Sequence, residues 1–208
     1  MALPAQDSFT TATTQTLTSY SANWTINQGT FSVDATDDRV YCTYSADEAA
    51  AHWNADTFGN DQYAQVVLRG GANGTEIGPA VRCAASGATY YGVYADINSG
   101  HGWLFKNVSG TWTPLVEVLN TFGAVAGDVL RLEVSGTNLT VKRNGTAVTG
   151  MTNISDNAIS SGYAGICAYG NNTGCAADDF EGGNLSAAAN VPAALLRRRQ
   201  ATNIDSWR

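Results

Sequence analysis

Charge is scarce in this chain. Only 14% of its 208 residues are Asp, Glu, Lys or Arg, and its two histidines are His52 and His101. Acid–base chemistry therefore has few groups to draw on. Glycoside hydrolysis needs two carboxyls roughly 5 to 9.5 Å apart. The five glutamates, Glu48, Glu76, Glu117, Glu133 and Glu181, include no two at a spacing that places them together on one strand. Asp128 and Glu133 are close in sequence but fall on opposite faces of an extended segment. The chain is expected not to be an enzyme.

Long apolar runs are missing as well. No stretch of about 18 apolar residues exists to span a bilayer as a helix. The start, MALPAQDSFTTATTQ, has neither a basic flank nor a continuous apolar stretch, so it does not read as a secretion signal. The four cysteines, Cys42, Cys83, Cys167 and Cys175, match no zinc spacing. A bridge closing the loop between Cys167 and Cys175, a bridge between Cys42 and Cys83, and four buried thiols all remain open.

Charge is also unevenly placed. Residues 1–190 carry 7 Lys and Arg against 17 Asp and Glu, whereas residues 191–208 carry four Arg against Asp205 alone. A body of net charge −10 gives a phosphate backbone nothing to bind, so no nucleic-acid partner is expected.

What the chain does have is turns and alternation. Glycine reaches 22 residues, and period-2 runs recur at 29–33, 39–45, 62–69, 79–85, 89–97, 102–107, 129–136, 138–145, 162–170 and 177–185. In LRLEVSGTNLTVKRNGTAV, Leu130, Leu132 and Val134 lie on one face opposite Arg131 and Glu133. Turns are expected there at Ser135-Gly136 and Asn144-Gly145. The run 45–58, SADEAAAHWNADTF, fits either a short helix or a strand with loops. About ten short strands between turn residues predict an all-β, antiparallel sandwich.

The order DSFTT, GTFSV, DQYAQVVLR, GPAVRCAASGATYYGVY, GDVLRLEVSGTNLTVKRNG and SGYAGICAYG…ADDFEGG resembles the concanavalin A-like lectin/glucanase superfamily, in its laminin G-like jelly-roll branch. The resemblance implies a jelly roll over residues 7–186 whose first and last strands pair. It leaves an N-terminal arm at 1–6 and a linker with an extended C-terminal tail at 187–208. It implies no catalytic residues: the single-strand E-x-D-x-x-E of its hydrolases and the Q-I-H and R-x-E-x-R patterns of its lyases are absent. A glycan would be met on the concave sheet by Tyr91, Tyr94, His101, Trp103 and Trp112, rings whose bodies stack on sugar C–H faces. Trp24, Phe31, Trp53, Phe105 and Phe180 are expected in the core. No cofactor is expected beyond a structural Ca²⁺, for which the resemblance points to Asp178 or Asp179.

In the tail, Arg197, Arg198 and Arg199 suit forked pairing with carboxylates, and Leu195, Leu196 and Trp207 suit apolar pockets. The expectation is a docking peptide for an acidic protein surface, either another copy of the chain or another component of an assembly. Taken together these features resemble bacteriophage decoration, fibre or tail proteins. A non-catalytic, oligomeric virion protein that contacts cell-surface glycans is the expected role, with a secreted bacterial carbohydrate-binding or adhesion domain, extracellular or at the cell surface, as the alternative. A polysaccharide lyase or glycoside hydrolase is the second alternative.

Overall fold

The computed structural model describes residues 3–45, 48–70 and 75–185. The expected docking residues Leu195, Leu196, Arg197, Arg198, Arg199 and Trp207 lie outside these. In chain order the elements are β1 (Ala5–Asp7), β2 (Gln15–Thr16), α1 (Leu17–Tyr20), β3 (Trp24–Gln28), β4 (Phe31–Asp34), β5 (Arg39–Cys42), β6 (Glu48–Trp53), β7 (Gln62–Leu68), β8 (Glu76–Cys83) and β9 (Tyr90–Asp96). They continue with β10 (His101–Val108), β11 (Thr111–Val118), β12 (Val129–Ser135), β13 (Asn138–Arg143), β14 (Thr146–Ala147), β15 (Ile154–Ser155), β16 (Tyr163–Tyr169) and β17 (Ala176–Asn184).

These strands form two antiparallel sheets. One runs β14-β13-β12-β7-β17-β5-β4-β2, with β1 on β17 and β15 on β13; the other runs β11-β10-β9-β8-β16-β6-β3. The first and last described strands, β1 and β17, pair in the first sheet, since Ala5 pairs with Gly182 and Asp7 with Phe180. Ala5 and Gln6, assigned from sequence to the N-terminal arm, are part of β1. A bulge between Asp178 and Glu181 lets β17 pair with β5 at its start and with β1 further on. Within the 45–58 run, Glu48–Trp53 form a strand, β6, with all six residues buried.

Why the alternating segments pair this way is visible in β12. Leu130, Leu132 and Val134 are buried, while Arg131 and Glu133 face out and bond to each other at 2.7 Å. Asn144 and Gly145 both have positive φ, 50° and 78°, as a tight two-residue hairpin turn requires. The preceding turn lies at Gly136-Thr137, one residue later than expected, because Ser135 still pairs with Asn138.

Between the sheets, Trp24 packs edge-on against Phe180 at 4.8 Å and against Trp53 at 5.5 Å. Such rings bury about 150 to 250 Å² each, worth roughly 4 to 6 kcal/mol apiece at about 25 cal/mol per Å². Asp7 ties them to the first strand by accepting from Trp24 Nε1 at 2.8 Å and from Tyr20 Oη at 2.7 Å. A second apolar cluster lies on the outer face of the seven-stranded sheet and contains Ala50, Ala80, Cys83, Tyr90, Tyr94, Phe105 and Cys167. Phe105 is thus buried as expected, but outside the inter-sheet core.

All four cysteines are free and buried. Cys167 belongs to the outer cluster and Cys175 to the inter-sheet core, and Cys83 and Cys42 divide the same way. Opposite faces of a sheet keep both expected pairings apart.

Candidate functional site

The outer cluster is where polar and aromatic groups converge. On β9 alternation sends Tyr90 and Tyr94 outward and Tyr91 inward. Cross-strand pairing puts Trp103 beside Tyr94, Phe105 beside Gly92 and His101 beside Asp96. Phe105 is a fully buried platform. Tyr94 lies against it at 4.2 Å, and Trp112 from the edge strand β11 stacks on it at 5.8 Å with 29° between the planes. Trp103 is held from the side, its Nε1 donating to Glu117 Oε1 at 2.8 Å.

Next to this row runs a rank of ionisable residues. Tyr169 on β16 pairs with Glu48 of β6 on one side and Glu76 of β8 on the other. The Ile77–Ala95 pairing sets Asp96 next to Glu76 on the far side. Between rank and rings the sheet offers small residues, Cys167 with Gly78 and Ala50 beside it. The result is a cavity of about 280 Å³ lined by Glu48, Glu76, Tyr94, Trp103, Trp112 and Tyr169.

Its electrostatics are unusual. Glu48 and Glu76 are each only 8% exposed. Burial, helped by the neighbouring Asp96 charge, pushes the Glu76 carboxyl up to about 7. Among the described residues the Glu76 carboxyl makes no hydrogen bond or ion pair, and no Lys or Arg lines the cavity.

Three of the five expected contact residues, Tyr94, Trp103 and Trp112, meet in this cavity. His101 stands at its rim, edge-on to Trp103 at 5.4 Å and bonded through Nε2 to Asn120 Oδ1 at 3.2 Å. Tyr91 is turned away. It is buried between the sheets, where its hydroxyl donates to Asp156 Oδ1 at 2.6 Å and accepts from the Ile159 amide. Glu48, Glu76 and Tyr169 were missed. Scarcity of glutamate was the available signal: two of five fall inside runs dense enough in Ala, Ile and Val to be buried strands.

Asp178, an expected calcium ligand, is occupied differently. It is buried, its Oδ2 takes both Nε and Nη2 of Arg69, and its Oδ1 accepts from the Asp179 amide. Asp179, at φ 47°, has a half-exposed side chain whose Oδ2 lies 3.9 Å from Nη2 of the same Arg69. Among the described residues no group of three or more His, Cys, Asp or Glu is assembled to hold a metal ion.

A larger hollow, about 480 Å³, lies on the other sheet around Gln6, Asp7, Gln65, Asp179 and Glu181. Its polar groups already serve one another. Glu181 accepts from Gln6 and Tyr63, Gln65 accepts from Arg131, and Asp7 accepts from Tyr20 and Trp24. The aromatic cavity is the better candidate because Glu76 is not served.

Two antiparallel sheets packed face to face, with β1 paired to β17, decide the fold. It is a lectin-like jelly roll. Solved structures of this architecture include the carbohydrate-binding module CBM66 from Bacillus subtilis, at 14% identity and TM-score 0.57 over 78% of this chain and 92% of that one. A Bacillus subtilis protein of unknown function with a galectin-like fold aligns at 10% identity and TM-score 0.56, covering 86% and 94%. The apo Crh5 transglycosylase aligns at 11% identity and TM-score 0.53, covering 89% and 85%. No protein-family model and no curated protein sequence matches the chain.

Proposed function

We propose that the chain is a glycan-binding module whose site is the cavity on the outer face of the seven-stranded sheet. One observation carries this reading: Tyr94, Trp103, Trp112 and Tyr169, from four strands, converge with Glu48 and Glu76 on one concavity. Rings give a sugar's C–H faces something to stack on, and carboxyl groups give its hydroxyls partners. A lectin-like jelly roll, the architecture of a solved carbohydrate-binding module, is consistent with it.

The role is binding rather than turnover. The E-x-D-x-x-E pattern of this fold's hydrolases and the Q-I-H and R-x-E-x-R patterns of its lyases are absent from the sequence. The setting follows from the resemblance, a viral particle or equally an extracellular carbohydrate-binding domain. The tail that favoured the virion would dock to the same acidic body in another copy.

Titration calorimetry against a panel of neutral and charged oligosaccharides tests the site. Binding in the micromolar to millimolar range, weakened at least tenfold by Trp103→Ala with unchanged thermal unfolding, is the expected result. Affinity indifferent to Trp103 overturns the placement. Release of new reducing or unsaturated ends, abolished by Glu76→Gln or His101→Ala, overturns the non-enzymatic reading. Removing residues 191–208 is expected to reduce self-association in light scattering.

A further inference from the structure

The cavity has the chemistry of a cation site. Four aromatic rings line it, and an aromatic face attracts positive charge through its quadrupole. Two carboxyl groups line it as well, one of them Glu76, 8% exposed and without a hydrogen-bond or ion-pair partner among the described residues. A buried carboxylate without a partner is costly, by several kcal/mol. Such a group is retained at less cost where a ligand supplies the missing charge.

Among the described residues no side chain supplies that charge. Each of the seven Lys and Arg residues of the body is engaged elsewhere: Arg39 with Asp34, Arg69 with Asp178, Lys106 with Asp156, Arg131 and Lys142 with Glu133, and Arg143 with Asp128. Arg82 is buried and donates to three backbone carbonyls. None lines the cavity, so an acidic sugar would find two carboxyl groups and no counter-charge.

We infer that the cavity selects saccharides bearing a cationic amine, the charge lying over the rings of Tyr94, Trp103, Trp112 and Tyr169 and paired with Glu76. This rests on the glycan-binding reading and names the sugar class for the same site. The ionisable groups around Glu76 are Asp96 and Tyr94 on β9, Tyr169 on β16, Glu48 on β6, Cys175 at the head of β17, and His101 on β10 beyond Asp96. Asp96 and Glu48 add negative potential. A bound cation holds Glu76 ionised, so binding releases a proton from the fraction of molecules in which Glu76 is protonated.

The test is calorimetric titration at pH 7.0 with a glucosamine tetramer, its N-acetylated counterpart, a galacturonate tetramer, and choline as a cation without a sugar. The glucosamine tetramer is expected to bind at least tenfold more tightly than the acetylated one, and galacturonate not to bind. Glu76→Gln, nearly isosteric, is expected to erase the preference while unfolding at a thermal midpoint no lower than the parent's, and Trp103→Ala to weaken both tetramers. With choline, whose charge is fixed, affinity is expected to rise severalfold from pH 6 to 8 and to stay flat in Glu76→Gln. Equal affinity for the amine and acetylated tetramers overturns the inference and leaves glycan binding standing. Choline binding without any saccharide binding supports the cation site and overturns the glycan reading, and no binding at all overturns both.

Discussion

Phe105 fills the space over Gly92 that any side chain there would occupy. The two are paired across β9 and β10, and a Cβ on Gly92 would stand 2.4 Å from Phe105 Cζ and 2.7 Å from Cys167 Sγ. The absent side chain is what lets the ring lie flat enough to carry Tyr94 and Trp112. Gly92→Ala must therefore lift Phe105. Overpacking of this kind costs about 1 to 3 kcal/mol, and the platform of the cavity tilts with it. Denaturant unfolding is expected to show that loss and calorimetry a weakened saccharide affinity; an unchanged midpoint and affinity would contradict the packing described.

Arg82 holds three loops at once. It sits at φ 51°, 2% exposed, donating to Asn60 O through Nε and Nη2, to Ile159 O through Nη1 and to Gly136 O through Nη2. No carboxylate pairs with it among these contacts, so the planar fork itself is the requirement. Arg82→Ala leaves three carbonyls without a donor and is expected to destabilise by about 3 to 5 kcal/mol. Arg82→Lys is expected to restore less than half, since an ammonium cannot reach all three. Urea unfolding of both variants checks this, and full rescue by lysine would refute it.

Two buried groups set opposing pH dependences. Burial pulls His52 from 6.5 down to about 4. Its tautomer is fixed, since Asn27 Nδ2 already donates to Ala84 O and Gly87 O, leaving Asn27 Oδ1 to accept from His52 Nδ1 at 2.8 Å. The unfolded chain binds the extra proton between these values. His52's contribution is therefore complete above pH 6.5 and lost as pH falls toward 4, up to about 3 kcal/mol. Glu76, raised from 4.5 to about 7, does the reverse: its contribution is complete below pH 4.5 and lost as pH rises through 7. The two nearly cancel between pH 4.5 and 6.5. Glu76→Gln is expected to be more stable than the parent at pH 8 by about 1 to 3 kcal/mol and to gain stability from pH 4 to 6.5. Urea unfolding across this range tests both signs.

Asp178 is held by Arg69, and thus has little to offer an ion. Adding calcium or a chelator is expected to leave the thermal midpoint unchanged within about 1 °C, whereas calcium binding would raise it by mass action. Arg69→Ala leaves Asp178 buried and unpaired and is expected to lower the midpoint. A calcium-dependent midpoint in the parent chain would show that loop carbonyls and Asp179 recruit the ion regardless.

How much of this was legible in sequence depends on whether the deciding physics is local. Alternation made Leu130, Leu132 and Val134 one face of a strand, and Asn144-Gly145 announced a turn that needs positive φ. The same periodicity could not say which face of GATYYGVY looks inward. Tyr91 and Tyr94, both proposed as contacts, are three positions apart and so must take opposite sides. It read 45–58 as ambiguous because Ala-rich segments satisfy helix and strand alike, and only the neighbours β3 and β16 make β6 a strand.

Residue order by itself determined an all-β sandwich with an acidic, charge-poor body, because hydrophobic period and turn chemistry act over a few residues. The tertiary structure alone decided the site. Glu48 and Glu76 come from segments with no shared motif, and they meet because β6 and β8 both pair with β16, on either side of Tyr169. Strand pairing is a choice between distant segments governed by the total burial of both sheets, and no local pattern encodes it.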